Sequence, residues 1–189
     1  PRNVNITASL NNAMDKSDAV ILAIPSKYFR GVLEQVKKTA QGDKVYISVT
    51  KGIEDGTLMR MSDVVGDVLG KDKKIVAVSG PSIAIEVARG MPTTLVAACE
   101  DIEPAKKAQD TLMCGTLRVY TTTDVTGVEL GGSLKNIIAI AAGISDSLKF
   151  GTNTKAAIMT RGLAEITRLG VAMGAKQETF AGLSGIGDL

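Results

Sequence analysis

One stripe of residues in this chain has a composition that a helix does not need for its own stability. In GVELGGSLKNIIAIAAGI, Gly127, Gly131, Lys135, Ala139 and Gly143 recur at every fourth position, and all but the lysine are glycine or alanine. Glycine inside a helix costs about 1 kcal/mol relative to alanine, so such a run must gain something by bringing backbone close to a neighbour. Two readings are open. The stripe is a close helix–helix or helix–strand crossing with Lys135 snorkelling outward, or it is a shallow groove where a small substrate lies against bare backbone beside a desolvated amine. Leu130, Leu134, Ile137, Ile138, Ala141 and Ile144 cover most of the remaining circumference, so this helix is expected to be buried nearly all round.

The chain has no histidine, which removes every His-dependent triad, most zinc sites and the commonest general base near neutral pH. Acid–base chemistry would have to run through Lys, Asp, Glu, Cys or Tyr. A lysine can carry it when burial or a neighbouring positive charge lowers its pKa. Lys51, in TKGIE, stands at the carboxyl end of a strand, where open parallel sheets bind ligands; taken on its own it reads first as an ordinary exposed lysine at a strand–loop junction. SGPSIAIE runs from a strand through Gly80, Pro81 and Ser82 into a helix, whose free N–H groups make an anion site or simply an ordinary strand–turn–helix. AIPSKYF repeats that form, with Tyr28 near the helix start. No GxGxxG turn follows a strand, and in GLSGIGDL the lone acid Asp188 reads, taken alone, as a helix cap. The acids do not cluster as metal ligands. Cys99 and Cys114 read as reduced thiols, being too few for a disulfide framework.

The elements that must position these residues alternate. Strands are expected at NVNITA, DAVILAIP, KVYISVTKG, KKIVAVSG, TTLVAACE and LRVYTTTD. Helices are expected between them at LNNAMDK, YFRGVLEQVKK, LMRMSDVVGDVLG, IAIEVARG and PAKKAQDTLMC. Continuous apolar strands alternating with helices predict an α/β fold with a mostly parallel sheet covered on both faces. After Asp124 no strand appears. Asp124 is a candidate N-cap for a helix to about Leu148, and Asn153 for a second helix to about Gly170. The boundary near Asp124 therefore separates an α/β unit, residues 1–124, from the start of an all-helical unit, residues 125–189.

At 189 residues, 44% hydrophobic and with net charge +2, the chain has an ordinary globular composition. A balance so near neutral argues against nucleic acid or an anionic membrane as partner. The longest apolar run, Ile137 to Ile144, falls short of the ~20 residues that span a bilayer. The opening Pro1-Arg2-Asn3 lacks the apolar stretch of a signal peptide, so a cytoplasmic location is expected.

Taken in order, AIPS, VTKGIE, SGPSIAIE, GVELGGSLKNIIAIAAGI, FGTNTKAAIMTRGLAEITRLG and TFAGLSGIGDL resemble the bacterial NAD(P)-dependent sn-glycerol-3-phosphate dehydrogenases along essentially the whole chain. The resemblance implies a Rossmann-like NAD(P)-binding domain followed by a helical substrate-binding domain. It also implies hydride transfer between NAD(P)H and dihydroxyacetone phosphate, giving sn-glycerol 3-phosphate for glycerophospholipid synthesis. Carried over residue by residue, Lys135 matches the proton-exchanging lysine, and Lys51 a lysine touching substrate and cofactor. Gly80 and Ser82 match substrate contacts, Ala84 a cofactor contact, and Tyr28 an aromatic near the nucleotide. Asn136 and Asp188 match polar groups around Lys135. Such a chain would need NAD or NADP, a small-molecule substrate and no metal, with a homodimer left open. The family's glycine-rich first turn, with the first strands of its sheet, and its Ser-Arg-Asn phosphate-binding stretch have no counterpart here. The resemblance therefore implies an internal fragment, inactive by itself. The alternatives are another member of the 6-phosphogluconate and β-hydroxyacid dehydrogenase superfamily, or a non-catalytic nucleotide-binding module.

Overall fold

A computed structural model describes residues 3–39 and 42–189. The α/β unit runs α1 (Leu10–Met14), β1 (Ala19–Leu22), a 3-10 turn (Ser26–Tyr28), α2 (Phe29–Thr39), β2 (Val45–Ser48), α3 (Met61–Leu69) and β3 (Lys74–Ser79). It continues through α4 (Ala84–Ala88), β4 (Thr93–Ala98), α5 (Ile102–Leu112) and β5 (Leu117–Thr122). Helices alone follow: α6 (Val125–Ser147), α7 (Gly151–Ala172) and α8 (Gln177–Phe180).

The five strands lie in chain order, β1 to β5. The pairs β1–β2, β2–β3 and β4–β5 are parallel, and β3–β4 is antiparallel, with Val78 opposite Ala97. The expected mostly parallel sheet is therefore present, with one reversal. Its cause is the short α4: five residues are too few to carry the chain back along the sheet, so β4 returns beside β3 in the opposite sense.

Side chains alternate across the sheet. Leu22 and Tyr46 share one face with Phe29 and Leu33 of α2 and Val64, Val65 and Val68 of α3. Val45, Ile47, Val76, Val78 and Ala97 share the other face with Ala105 and Ala108 of α5. α6 extends the first layer, for Gly132 lies against Ser79 of β3. A third cluster, Leu130, Ile166, Ala175 and Phe180, joins α6, α7 and α8.

Three expectations need correction. The strand expected at NVNITA does not form: Val4 is 58% exposed and Ile6 97%, and among the described residues no neighbouring strand offers ladder partners to that segment. Nor is α6 buried all round. Its first turns are, but Ile137, Ile140 and Ile144 are exposed, because only the amino-terminal half reaches the sheet and the carboxyl-terminal segment. Asn153 does not cap α7, which begins earlier, at Gly151, after Phe150. At 23 residues α6 is also long and apolar enough to cross a bilayer by length and composition, which the run Ile137 to Ile144 did not show. Its amino-terminal half nevertheless carries the buried Glu129 in hydrogen bonds to α3, which marks that half as core.

Candidate active site

Because β1, β2 and β3 run in parallel, the loops at their carboxyl ends emerge on one side of the sheet. These are the Ser26–Tyr28 turn, Lys51-Gly52 and Gly80-Pro81-Ser82. The Thr50 hydroxyl ties the first two together, donating to the Ile24 carbonyl at 2.7 Å and accepting its N–H at 3.3 Å. Gly80 has φ +130°, and a Cβ there would press the Thr94 carbonyl oxygen at 3.0 Å, so the turn over β4 requires glycine.

α6 starts where its sequence says it should. The Asp124 carboxylate accepts the Gly127 N–H at 2.9 Å as an N-cap, and its second oxygen accepts the Lys176 N–H at 2.9 Å and the Thr179 hydroxyl at 2.5 Å. One buried carboxylate thereby fixes both the start of α6 and its angle to α8. The glycines then act as close crossings. A Cβ at Gly127 would strike the Asp124 carboxylate, one at Gly131 the backbone carbonyl of Ser184, and one at Gly132 the Ser79 hydroxyl. The same point at Gly132 lies 3.5 Å from Cδ of Lys51. A Cβ at Gly143, further along the stripe, would meet nothing within 4 Å beyond its own helix among the described residues. The stripe is thus a crossing in its first half and open in its second.

Lys135 does not snorkel outward. Its Nζ donates to the Asp188 backbone carbonyl at 2.9 Å and to Oδ1 of the same residue's carboxylate. Lys51 Nζ donates to Oδ2 of Asp188 and to the Gly80 carbonyl at 2.9 Å. The Ser82 hydroxyl also donates to Gly80, at 3.1 Å. Asp188 is only 3% exposed at its side chain, so its charge rests almost wholly on the two amines. Two ammonium groups against one carboxylate leave an excess positive charge, suited to an anionic ligand. Burial pushes the Lys51 ammonium below the usual lysine range; Asp188 opposes that shift and the neighbouring Lys135 charge reinforces it.

The structure thus brings Lys51, Gly80, Ser82, Lys135 and Asp188 together. Asn136 follows Lys135 but is exposed, being turned about 100° round the helix. Tyr28 and Ala84 are likewise exposed, at the ends of the β1 and β3 loops. Among the described residues, no side-chain hydrogen bond joins Asn136 or Tyr28 to the Asp188 cluster. Likewise, no group of three or more Cys, Asp or Glu residues could hold a metal.

Three groups escaped the reading of the sequence. The Glu129 carboxyl accepts the Ser62 N–H at 2.8 Å and its hydroxyl at 2.5 Å, and pairs with Arg60 at 3.3 Å, so α6 caps α3 from a distance. Ser133 bonds the loop after Lys51, accepting the Gly52 N–H at 3.0 Å. The Ser79 hydroxyl is buried without a hydrogen-bond partner among the described residues. A signal for the first two existed: Thr126, Glu129 and Ser133 make a polar line at three- and four-residue spacing on an otherwise apolar helix.

Comparison with known proteins covers the whole of this architecture. Residues 1–105 match the family described as NAD-dependent glycerol-3-phosphate dehydrogenase N-terminus, and residues 124–189 its C-terminus counterpart. A glycerol-3-phosphate dehydrogenase [NAD(P)+] of Clostridium perfringens is 48% identical over 189 residues, covering 100% of this chain and 57% of that protein. The corresponding Listeria monocytogenes protein is 50% identical over 191 residues, 56% of its own length. Among solved structures, glycerol-3-phosphate dehydrogenase from Coxiella burnetii superposes with a TM-score of 0.90 at 39% identity, over 96% of this chain and 55% of that one. The chain therefore spans little more than half the length of the relatives it matches.

Proposed function

The chain belongs to the NAD-dependent glycerol-3-phosphate dehydrogenase family, and from that premise we propose that the full-length polypeptide interconverts dihydroxyacetone phosphate and sn-glycerol 3-phosphate with NAD or NADP. The observation that carries this reading is the convergence of Lys51 and Lys135 on the buried Asp188 at the ends of parallel strands. In this reading residues 1–124 are part of the cofactor-binding domain and residues 125–189 part of the helical substrate-binding domain. The enzyme would work in the cytoplasm as a soluble protein and supply glycerophospholipid synthesis. A homodimer belongs to the same proposal and is read by sedimentation.

The residues present fit the nicotinamide end of a dinucleotide. Tyr28 offers an exposed ring after β1, and the Ser79 hydroxyl is an unused donor and acceptor near the Lys51 stem. When bound, the cofactor supplies the hydride. Reduction of a ketone then leaves an alkoxide that needs a proton, and Lys135 donates it from Nζ. Lys51 holds the anionic substrate and, with Lys135, stabilises negative charge as it develops. Asp188 aims both amines at one point and keeps them from splaying apart. Gly80 and Ser82 line the substrate from the β3 side, with Asn136 and Ala84 completing the substrate and cofactor contacts.

NADH or NADPH oxidation driven by dihydroxyacetone phosphate tests the reading. The full-length polypeptide is expected to turn over, and Lys135→Ala to lose about 10²–10⁴-fold in kcat with cofactor affinity retained. Unchanged turnover in Lys135→Ala would refute it.

A further inference from the structure

We infer that Ser133 is a positioning residue for Lys51, pinning the backbone after that lysine to the helix that carries Lys135. The Ser133 hydroxyl donates to the Glu129 carbonyl at 2.7 Å, which fixes its rotation and leaves its lone pairs facing the β2 loop. There it accepts the Gly52 N–H at 3.0 Å. Gly52 is bounded on its other side as well: its φ is +144°, and a Cβ would press the Ser26 side chain at 3.0 Å. The peptide between Lys51 and Gly52 is thus held between the β1 turn and α6.

Three neighbouring contacts then locate Lys51. Gly132 receives its stem, Ser133 its backbone, and Asp188 with Gly80 its amine. The anchor is itself braced, since the Glu129 side chain is bonded to the start of α3. Ser133 lies two residues before Lys135, so its hydrogen bond sets the register between the strand end bearing one amine and the helix bearing the other. Without it a half-buried N–H loses its partner and the Lys51 loop gains freedom, while α6 loses nothing, because alanine is the better helix former.

This inference rests on the proposed reading that the two lysines share a substrate. Its test uses the full-length polypeptide with Ser133→Ala and Ser133→Thr, following steady-state reduction of dihydroxyacetone phosphate, the melting temperature and hydrogen exchange of the Gly52 amide. Ser133→Ala is expected to lower kcat/KM for dihydroxyacetone phosphate about tenfold, the loss expected for one unpartnered donor. Its melting temperature should fall by no more than a few degrees, Gly52 exchange should accelerate by a similar factor, and Ser133→Thr should restore both readouts. Wild-type kinetics in Ser133→Ala, or a loss that tracks a lowered melting temperature and is not restored by threonine, would overturn the inference. If the wild type does not reduce dihydroxyacetone phosphate, the functional reading fails. Gly52 exchange then decides the positioning role separately, and unchanged exchange rejects it.

Discussion

Of the buried carboxyl groups that meet α6, Glu129 and Asp188 are held in opposite ways. Glu129 projects from the helix into donors fixed by another helix start: the Ser62 N–H and hydroxyl, with Arg60 behind them. Arg60 is in turn braced by Asp63 at 2.8 Å and Thr126 at 3.1 Å. Asp188 reaches α6 from the carboxyl-terminal segment and is gripped by the ends of two long, flexible lysines. The first arrangement joins backbone to backbone through short side chains and can only hold. The second gathers two cations on one carboxylate and leaves a net positive charge that an anionic ligand can meet. Burial acts differently on each. It pushes the Glu129 carboxyl above the usual carboxylate range, with Ser62 and Arg60 opposing. At the other cluster it pushes an amine, Lys51, down.

The sharpest way to break this contrast is to neutralise both carboxyls in the full-length polypeptide. Asp188→Asn is expected to cost about 10² or more in kcat by releasing the two amines, whereas Glu129→Gln should leave kcat within a few-fold. Equal losses in steady-state assays would erase the distinction.

Stability should divide the other way. Glu129→Ala leaves the Ser62 donors empty and Arg60 without its buried partner, at an expected cost of about 3 kcal/mol by denaturant titration. The pH dependence follows from the sign of the shift. With its folded pKa above the unfolded value, Glu129 lets the unfolded chain lose its proton first, so stability falls as pH rises from about 4.5 through the folded titration. Glu129→Gln should remove that fall, and its persistence would place the cause elsewhere.

Among the glycines, Gly131→Ala drives a methyl into the Ser184 backbone, which cannot rotate away, and should cost about 2 kcal/mol. The titration of Lys51, followed by NMR, should move further down in Asp188→Asn and up in Lys135→Ala, since Asp188 raises its pKa and Lys135 lowers it. A shift in the opposite sense in either variant would contradict the pairing of both lysines with Asp188. The smallest effect is expected at Gly143→Ala, where the added methyl would meet nothing within 4 Å beyond its own helix among the described residues. There the gain in helix propensity should stabilise the chain by up to about 1 kcal/mol in thermal melts.

Much of this arrangement was legible in one dimension. The apolar runs gave β1 to β5 and the Asp124 cap gave the start of α6, because burial and capping are local demands written into neighbouring residues. The absence of histidine left acid–base chemistry to Lys, Asp, Glu, Cys or Tyr, and the glycine stripe singled out Lys135 while leaving open a snorkelling lysine or a substrate groove. NVNITA misled because alternation reports only a willingness to pair, and a strand needs a neighbour. The outer turns of α6 misled because apolar composition names a face that can be covered and not what covers it. Asp188 read alone as a helix cap, for nothing within GLSGIGDL reveals that two lysines, 137 and 53 residues away, will meet it.

The sequence by itself determined the alternation of strands and helices, the change to helices alone after Asp124, and which residue types could move a proton. Only the tertiary structure decided that Gly131 and Gly132 receive a backbone carbonyl and a lysine stem, and that Ser133 holds the loop after Lys51. It alone decided too that Asp188 binds both amines. The physical reason is range. Propensity and capping act within a few residues along the chain, whereas ion pairs and close crossings depend on which distant segments the packing of α6 on β3 brings within a few ångströms.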